Sequence, residues 1–490
     1  MPLRALAPQA SASTYSATRT MSAIGGGARE GYQSGRERSG THFCAITGQD
    51  GAVSITDDTV VEHLRALIQC ASVNHSDGSG PGERKAAEYV AAVLSPLGAG
   101  PQVVESAPGR ANVLARLAGS DASRPPLLVH AHLDVVPADA HDWRFDPFAA
   151  EVHDDYVWGR GAVDMLDTNA MILTALQRLH ASGRQPQRDI VLAFTADEEA
   201  GGTKGAHWLV RHQRDHFEGC TEAIGEVGGF SITVAQQRLY LIETAEKGIA
   251  WLRLKARGTA GHGSLRTSDN AVVHLAQALA RIGTHQWPVQ LSAPVNALLT
   301  ECAEILDLPF DPQGPEAVAQ AEAVVTALGD IGRMIAPTLR HNANPTMVDA
   351  GYKINVVPGQ AQAQVDGRFL PGGREEFLSV LHELAGPHVE IEHVHDDIAL
   401  ETDFSGDLVT AIRQSLLAHD PTARVVPYML SGGTDGKAFS MLGMKCVGFS
   451  PLQLPANLDF AALFHGVDER VPISALQFGT DVLEDFLLRC

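Results

Sequence analysis

Several apolar stretches of this chain run without a break into acidic or imidazole side chains, and that limits its possible folds more than any other feature. "DIVLAFTAD" leads straight into Asp197, Glu198 and Glu199, and "PPLLVHAHLDVV" carries His132 and Asp134 near its end. Asp164 sits in "WGRGAVDM" and Glu226 in "AIGEVGG". Apolar runs of this length read as strands buried on both faces. In an α/β sheet such strands deliver functional groups at their carboxyl ends. Carboxylates left bare beside a buried strand are costly unless a cation or hydrogen bonds offset them.

Between these strands the spacing of apolar residues predicts helices. Residues 57–71 and 83–95 read as amphipathic helices, and "TNAMILTALQRLHASG" as a helix ending at Gly183. "NVLARLAG" is a further strand, and "GGTKGAHWLVRHQ" leads into another helix. Strands alternating with helices imply a doubly wound α/β catalytic domain. Near 246 the pattern changes. "GIAWLRLKARG" alternates as a half-exposed strand and "NAVVHLAQALARIG" is a helix, followed by a largely helical stretch over 283–345. Two strands, a helix over 373–385 and the strand "VEIEHVHD" complete a β-α-β-β-α-β sandwich. From about 400 the α/β pattern resumes. The expected organisation is therefore a tail over 1–50 and a catalytic domain over 51–245 and 400–490. A smaller α+β sandwich over 246–399 is inserted into it as a lid or dimerisation domain.

A chain of 490 residues exceeds one compact core and suits two domains. With 58 acidic against 37 basic residues the net charge is -21, which argues against nucleic acid and anionic lipid as partners. No apolar run reaches membrane-spanning length. Six cysteines lie far apart with no CxxC pair, as in a reduced, cytoplasmic protein. Residues 1–50 read as a disordered tail without the apolar core of a secretory signal; a start at Met21 or later, or a transit peptide, are the alternatives.

Taken singly, the charged positions have plain explanations. A His-x-Asp pair is usually a surface feature, Glu-Glu after a strand often opens a helix, and Asp164 could cap a turn. In combination they carry more. The segments "HLDVVP", "GRGAVDM", "TADEE", "GEVGG", "GHGS", "NVVPG", "SGGTDG" and "HGVDERV" occur in this order. In them the chain resembles the zinc metallopeptidase family of aminoacylase, glutamate carboxypeptidase, succinyl-diaminopimelate desuccinylase and carnosine dipeptidase. The resemblance covers roughly residues 57–490 and leaves the tail outside.

The resemblance implies a two-zinc site, with cobalt or manganese as possible substitutes. His132 and Glu226 would hold one ion, Glu199 and His465 the other, and Asp164 would bridge them. A shared carboxylate offsets the repulsion of two dications roughly 3.5–4 Å apart. Asp134 would accept the second imidazole N–H of His132 and fix its tautomer. Glu198 would be the general base and then proton donor to the leaving amine. His262 would stabilise the oxyanion, in many relatives across a dimer. Arg368, with Asn355 on a neighbouring lid strand and Thr434 of "SGGTDG", would receive a substrate carboxylate. One departure stands out: Leu166 and Asp167 occupy the positions where many relatives have Lys-Gly.

The implied function is hydrolysis of an amide bond in a small substrate with a free carboxylate, by an N-acyl-amino-acid deacylase, dipeptidase or carboxypeptidase working as a homodimer. The alternative is a non-catalytic relative that keeps the fold as a binding or dimerisation module. Such a module would be free to lose a ligand or the base, whereas this chain retains all of them.

Overall fold

The computed structural model describes residues 55–490 apart from 76 and 78; the expected tail over 1–50 lies outside them. The architecture is organised by one ten-stranded mixed sheet. Its central strands, Ile190–Thr195, Leu127–His132, Glu222–Gly225 and Lys445–Gly448, run parallel and adjacent in that order. Every residue of Leu127–His132 and Ile190–Thr195 is buried. The period-two alternation of each strand then divides the side chains between two cores. Val129, Leu192 and Ile224 face one core, filled by Leu64 of the helix Thr59–Ile68, Leu173 of Leu166–Ser182 and Leu483 of Ile473–Arg489. Leu128, Val191 and Ala223 face the other, against Leu209 of Ala206–His212 and Phe439 of Gly436–Ser440. Helices on both faces of a mixed sheet with a parallel centre are the doubly wound arrangement expected from the sequence.

Two glycines have a definite steric role. Gly183 ends Leu166–Ser182 in a left-handed conformation at φ +67°, which a side chain would strain. A Cβ on Gly205 would lie 1.7 Å from the carbonyl oxygen of Ala196, so the turn after the Glu198–Glu199 segment can close only on glycine.

The smaller layer is a four-stranded antiparallel sheet in the order Asn342–Ala350, Gln360–Phe369, Gly248–Arg257 and Val389–Asp397. Gly248–Arg257 alternates as read from the sequence. It buries Ala250, Leu252 and Leu254 against Leu275 and Ile282 of the helix Ala271–Thr284 and Phe377 of Arg374–Ala385. This strand is central, and the edges of the sheet are Asn342–Ala350 and Val389–Asp397.

The helical stretch within the insertion packs elsewhere. Ala293–Leu306 turns Val295, Leu298, Leu299 and Cys302 into the core of the large sheet, beside Leu239 and Leu241. The chain therefore crosses between the two layers at four places rather than at 246 and 399 alone. Lys247 lies at the first crossing, fully buried. Its ammonium donates to the carbonyls of Pro337 and Arg340 at 2.9 and 2.7 Å and to Asn342 Oδ1. Burial pushes its pKa down to about 7.

The loop that presents Asp164 is held from the far end of the chain. Glu469, fully buried, accepts the backbone N–H groups of Gly161, Val163 and Asp164 and pairs with Arg160 at 2.6 Å. Arg160 also donates to the carbonyl of His465. Removing one member of a buried pair leaves the other uncompensated. Arg160→Ala should therefore lower the urea midpoint by the equivalent of about 3–5 kcal/mol. A loss under about 1 kcal/mol, the range of exposed pairs, would contradict this account.

Candidate metal centre

The carboxyl ends of the parallel strands converge on one acidic cluster. His132 ends its strand, Glu226 follows Glu222–Gly225, and Glu198 and Glu199 occupy the short helical turn after Ile190–Thr195. Asp164 comes from the loop after Tyr156–Trp158, and His465 from the loop before Arg470–Pro472. His132 Nε2 lies 3.1 Å from Asp164 Oδ1 and 3.3 Å from Glu226 Oε2. His465 Nε2 lies 3.2 Å from Asp164 Oδ2 and 3.0 Å from Glu199 Oε2. Asp164 thus stands between two imidazole–carboxylate pairs, one oxygen toward each. Potential ligand atoms of His132, Asp164 and Glu199, and of His132, Glu198 and Glu226, lie within 4.8 Å of one another.

The electrostatics of the cluster are those of an acid group waiting for positive charge. Burial pushes Glu199 and Glu226 up to about 7 and Glu198 well above the usual carboxylate range. Hydrogen bonds to Asp164 and Glu199 hold His465 up to about 10. Against the opposing effect of burial, Glu226 and Asp164 hold His132 well above its ordinary value. Glu199 Oε1 is buried without a hydrogen-bond partner. Imidazole nitrogens and carboxylate oxygens at this density fit divalent transition ions. By their closest contacts they form two imidazole–carboxylate pairs, one on either side of Asp164.

Asp134 acts differently from the sequence expectation. The imidazole N–H of His132 at Nδ1 goes to the backbone carbonyl of Asp134 at 2.9 Å, while its carboxylate lies 3.7 Å away. The carboxylate instead accepts the backbone N–H groups of Glu198 and Glu199 at 3.1 and 3.2 Å. It holds the turn that carries the base candidate and a ligand candidate.

The remaining candidates are not gathered at the cluster. His262 is exposed on a two-stranded ribbon with Val356–Val357, and its Nδ1 accepts the hydroxyl of Ser264 at 2.7 Å. Asn355 is also exposed, and its backbone carbonyl accepts the N–H of Gly263 at 2.8 Å in the same ribbon. The guanidinium of Arg368 is already paired with Asp366, at 2.8 and 3.2 Å. Thr434 is buried, and both its N–H and its hydroxyl donate to Glu246, at 2.8 and 2.6 Å, so the expected offer of this hydroxyl to a ligand is taken up inside the protein. Asp167, in the first turn of Leu166–Ser182, is buried and pushed up to about 8 by that burial. The departure from Lys-Gly thus places a buried leucine at the lysine position and a buried acid, close enough to feel the charge of Asp164, at the glycine position.

Sequence reasoning missed several groups behind the site. Lys437 is fully buried, donates to the carbonyl of Lys247 at 2.8 Å and lies 3.8 Å from Glu246. Asp435 accepts the hydroxyl of Thr195 at 2.6 Å. A Glu246-Lys247 pair wedged between two apolar strands was one available signal, and Asp435 lies within "SGGTDG"; nothing local marks Lys437.

With this geometry in view, the likeness to known proteins acquires a physical basis. A human protein, aminoacylase-1, is 27% identical over 396 residues, covering 79% of this chain and 85% of its own length. The N-fatty-acyl-amino acid synthase/hydrolase PM20D1 of Xenopus tropicalis is 26% identical over 439 residues, covering 85% and 83%. The fold of an M20 family metallo-carboxypeptidase, Sso-CP2 from Sulfolobus solfataricus, matches with a TM-score of 0.66 at 18% identity, over 88% of this chain and 99% of that one. Residues 128–489 match the profile of peptidase family M20/M25/M40, and this chain belongs to that family as a hydrolase of the metallopeptidase and amidohydrolase type.

Proposed function

We propose that the protein hydrolyses the amide bond of N-acyl amino acids at a pair of zinc ions, with Glu198 as general base. The single observation that carries the reading is Asp164 standing between two imidazole–carboxylate pairs, with Glu198 beside them. His132 and Glu226 would hold one ion and Glu199 and His465 the other. Bound there, two zinc ions supply Lewis acidity toward the amide carbonyl and make a water more acidic. Glu198 takes the proton of the attacking water on its carboxylate and passes it to the departing amine nitrogen. No hydrogen bond or ion pair among the described residues engages the Glu198 carboxylate, which leaves it available for that transfer. Relatives named for N-acyl amino acids support this class over dipeptides.

The smaller domain is read as a lid. Arg368 faces the same side of its strand as Asp366, and exchanging that partner for a substrate carboxylate would keep the guanidinium fork satisfied. Asn355 and His262 would approach the substrate through their ribbon, whereas Thr434 supports the loop through Glu246. A dimer through the lid is supported by exposed apolar side chains on and beside the edge strand Asn342–Ala350, with Met347 65%, Val348 63% and Ile354 104% exposed. Free, mostly buried cysteines at 70, 220, 302, 446 and 490 support a cytoplasmic setting. No helix among the described residues is long and apolar enough to cross a membrane.

A panel of N-acetyl, N-succinyl and long-chain N-acyl amino acids beside dipeptides, assayed with added zinc, tests the substrate class. At least one N-acyl series should give the highest kcat/KM; turnover of dipeptides alone would refute it. Elemental analysis should find about two zinc ions per chain, and chelation should abolish activity until zinc, cobalt or manganese is restored. Glu198→Gln should keep both ions yet lower kcat by about a hundred- to ten-thousand-fold. Near-normal turnover would place the base elsewhere. Mixing His262→Ala with Glu198→Gln subunits, each nearly inactive as a homodimer, should restore activity if His262 serves the partner's site. No recovery would put His262 in its own chain's site.

A further inference from the structure

A buried polar relay reaches the Asp197–Glu199 turn from the amino-terminal part of the fold. It begins at Glu83, fully buried at the start of the helix Arg84–Leu94. Glu83 Oε1 pairs with Arg110 Nη1 at 2.5 Å, and Arg110 is only 4% exposed. The other arm of that guanidinium, Nη2, donates to Asn74 Oδ1 at 2.9 Å. Asn74, 2% exposed, directs its amide nitrogen to Asp134 Oδ2 at 2.8 Å and to Asp197 Oδ1 at 3.3 Å. Arg110 thereby fixes which end of the Asn74 amide faces the two acids.

Those two acids define the turn. Asp134 holds the N–H groups of Glu198 and Glu199. Asp197 precedes them in a left-handed conformation at φ +65°, which a non-glycine residue keeps only when its surroundings enforce it. Asp197 Oδ2 accepts Thr203 Oγ1 at 3.2 Å and Lys204 N at 3.0 Å, and Asn74 holds the other oxygen. One amide thus spans two carboxylates that would otherwise repel, and sets the spacing between the strand end at Asp134 and the turn at Asp197. We propose that Asn74 is a positioning residue for catalysis, the end of a Glu83–Arg110–Asn74 relay that locks the Asp197 turn and so aims Glu198 and Glu199. This rests on the reading of Glu198 as base and Glu199 as metal ligand.

The test uses the zinc-loaded full chain and compares Asn74→Ala, Asn74→Asp and Arg110→Lys. Asn74→Ala should lower kcat by about 10–100-fold, the usual effect of losing a group that orients a ligand, with KM within about twofold. Asn74→Asp should fall further, because a third carboxylate would face Asp134 and Asp197. Arg110→Lys retains the charge for Glu83 but loses the forked donor to Asn74. It should lower kcat by about 2–10-fold, the worth of one hydrogen bond, without changing KM. A purely structural role would instead lower the melting temperature and leave kcat per folded molecule unchanged in all three; that result overturns the proposal. If Asn74→Ala does not fold, an unchanged kcat in Arg110→Lys overturns it equally. Glu198→Gln measured in parallel separates the two ideas. If it is inactive while the relay variants are normal, only the relay fails. If it is active, the reading of the site fails.

Discussion

Four carboxylates, Asp164, Glu198, Glu199 and Glu226, share one partly buried edge with two imidazoles, the buried His132 and the half-exposed His465, and the rest of the structure is arranged around containing that charge. No single element supplies the containment. The sheet brings the groups together because its parallel strands end at the same level. The loops then fix them: Glu469 and Arg160 gather the backbone before Asp164, and Asp134 gathers the backbone of Glu198 and Glu199. Low dielectric raises the electrostatic stakes of each contact, since an unpaired charge here is more costly than one in water. A pair of divalent ions is the simplest partner for such a set.

The same principle explains the groups behind the first ring of contacts. Glu246 faces Thr434 and Lys437, Lys437 faces the carbonyl of Lys247, and Lys247 faces carbonyls from the helical stretch that packs on the large sheet. This chain of buried contacts runs from the loop 431–436 to the crossing between the two layers. Domain geometry and site geometry are therefore joined through polar groups as well as through apolar packing. On the smaller sheet, Asp366 satisfies the guanidinium of Arg368 within the protein.

Much of this was legible in the sequence, and for definite reasons. The apolar strands of Leu127–His132 and Ile190–Thr195 announce themselves because both faces are buried, and Gly183 marks a helix end because its backbone is left-handed there. The ordered motifs marked His132, Asp164, Glu198, Glu199, Glu226 and His465, which the fold brings together. What could not be read is partner choice. A stripe on Ala293–Leu306 shows that the helix is covered but not by which sheet. Likewise, nothing near Thr434 predicts that Glu246 takes its hydroxyl, and nothing near Asp134 predicts that its carbonyl rather than its carboxylate meets His132. These contacts join residues by short-range geometry that only the folded chain supplies.

The proposed function requires this acidic cluster to hold two ions that share Asp164. Anomalous X-ray scattering at the zinc edge from crystals of the zinc-loaded protein tests it most directly. The account predicts two peaks flanking Asp164, one against His132 and Glu226 and the other against Glu199 and His465. A single peak, or peaks on other residues, would contradict it.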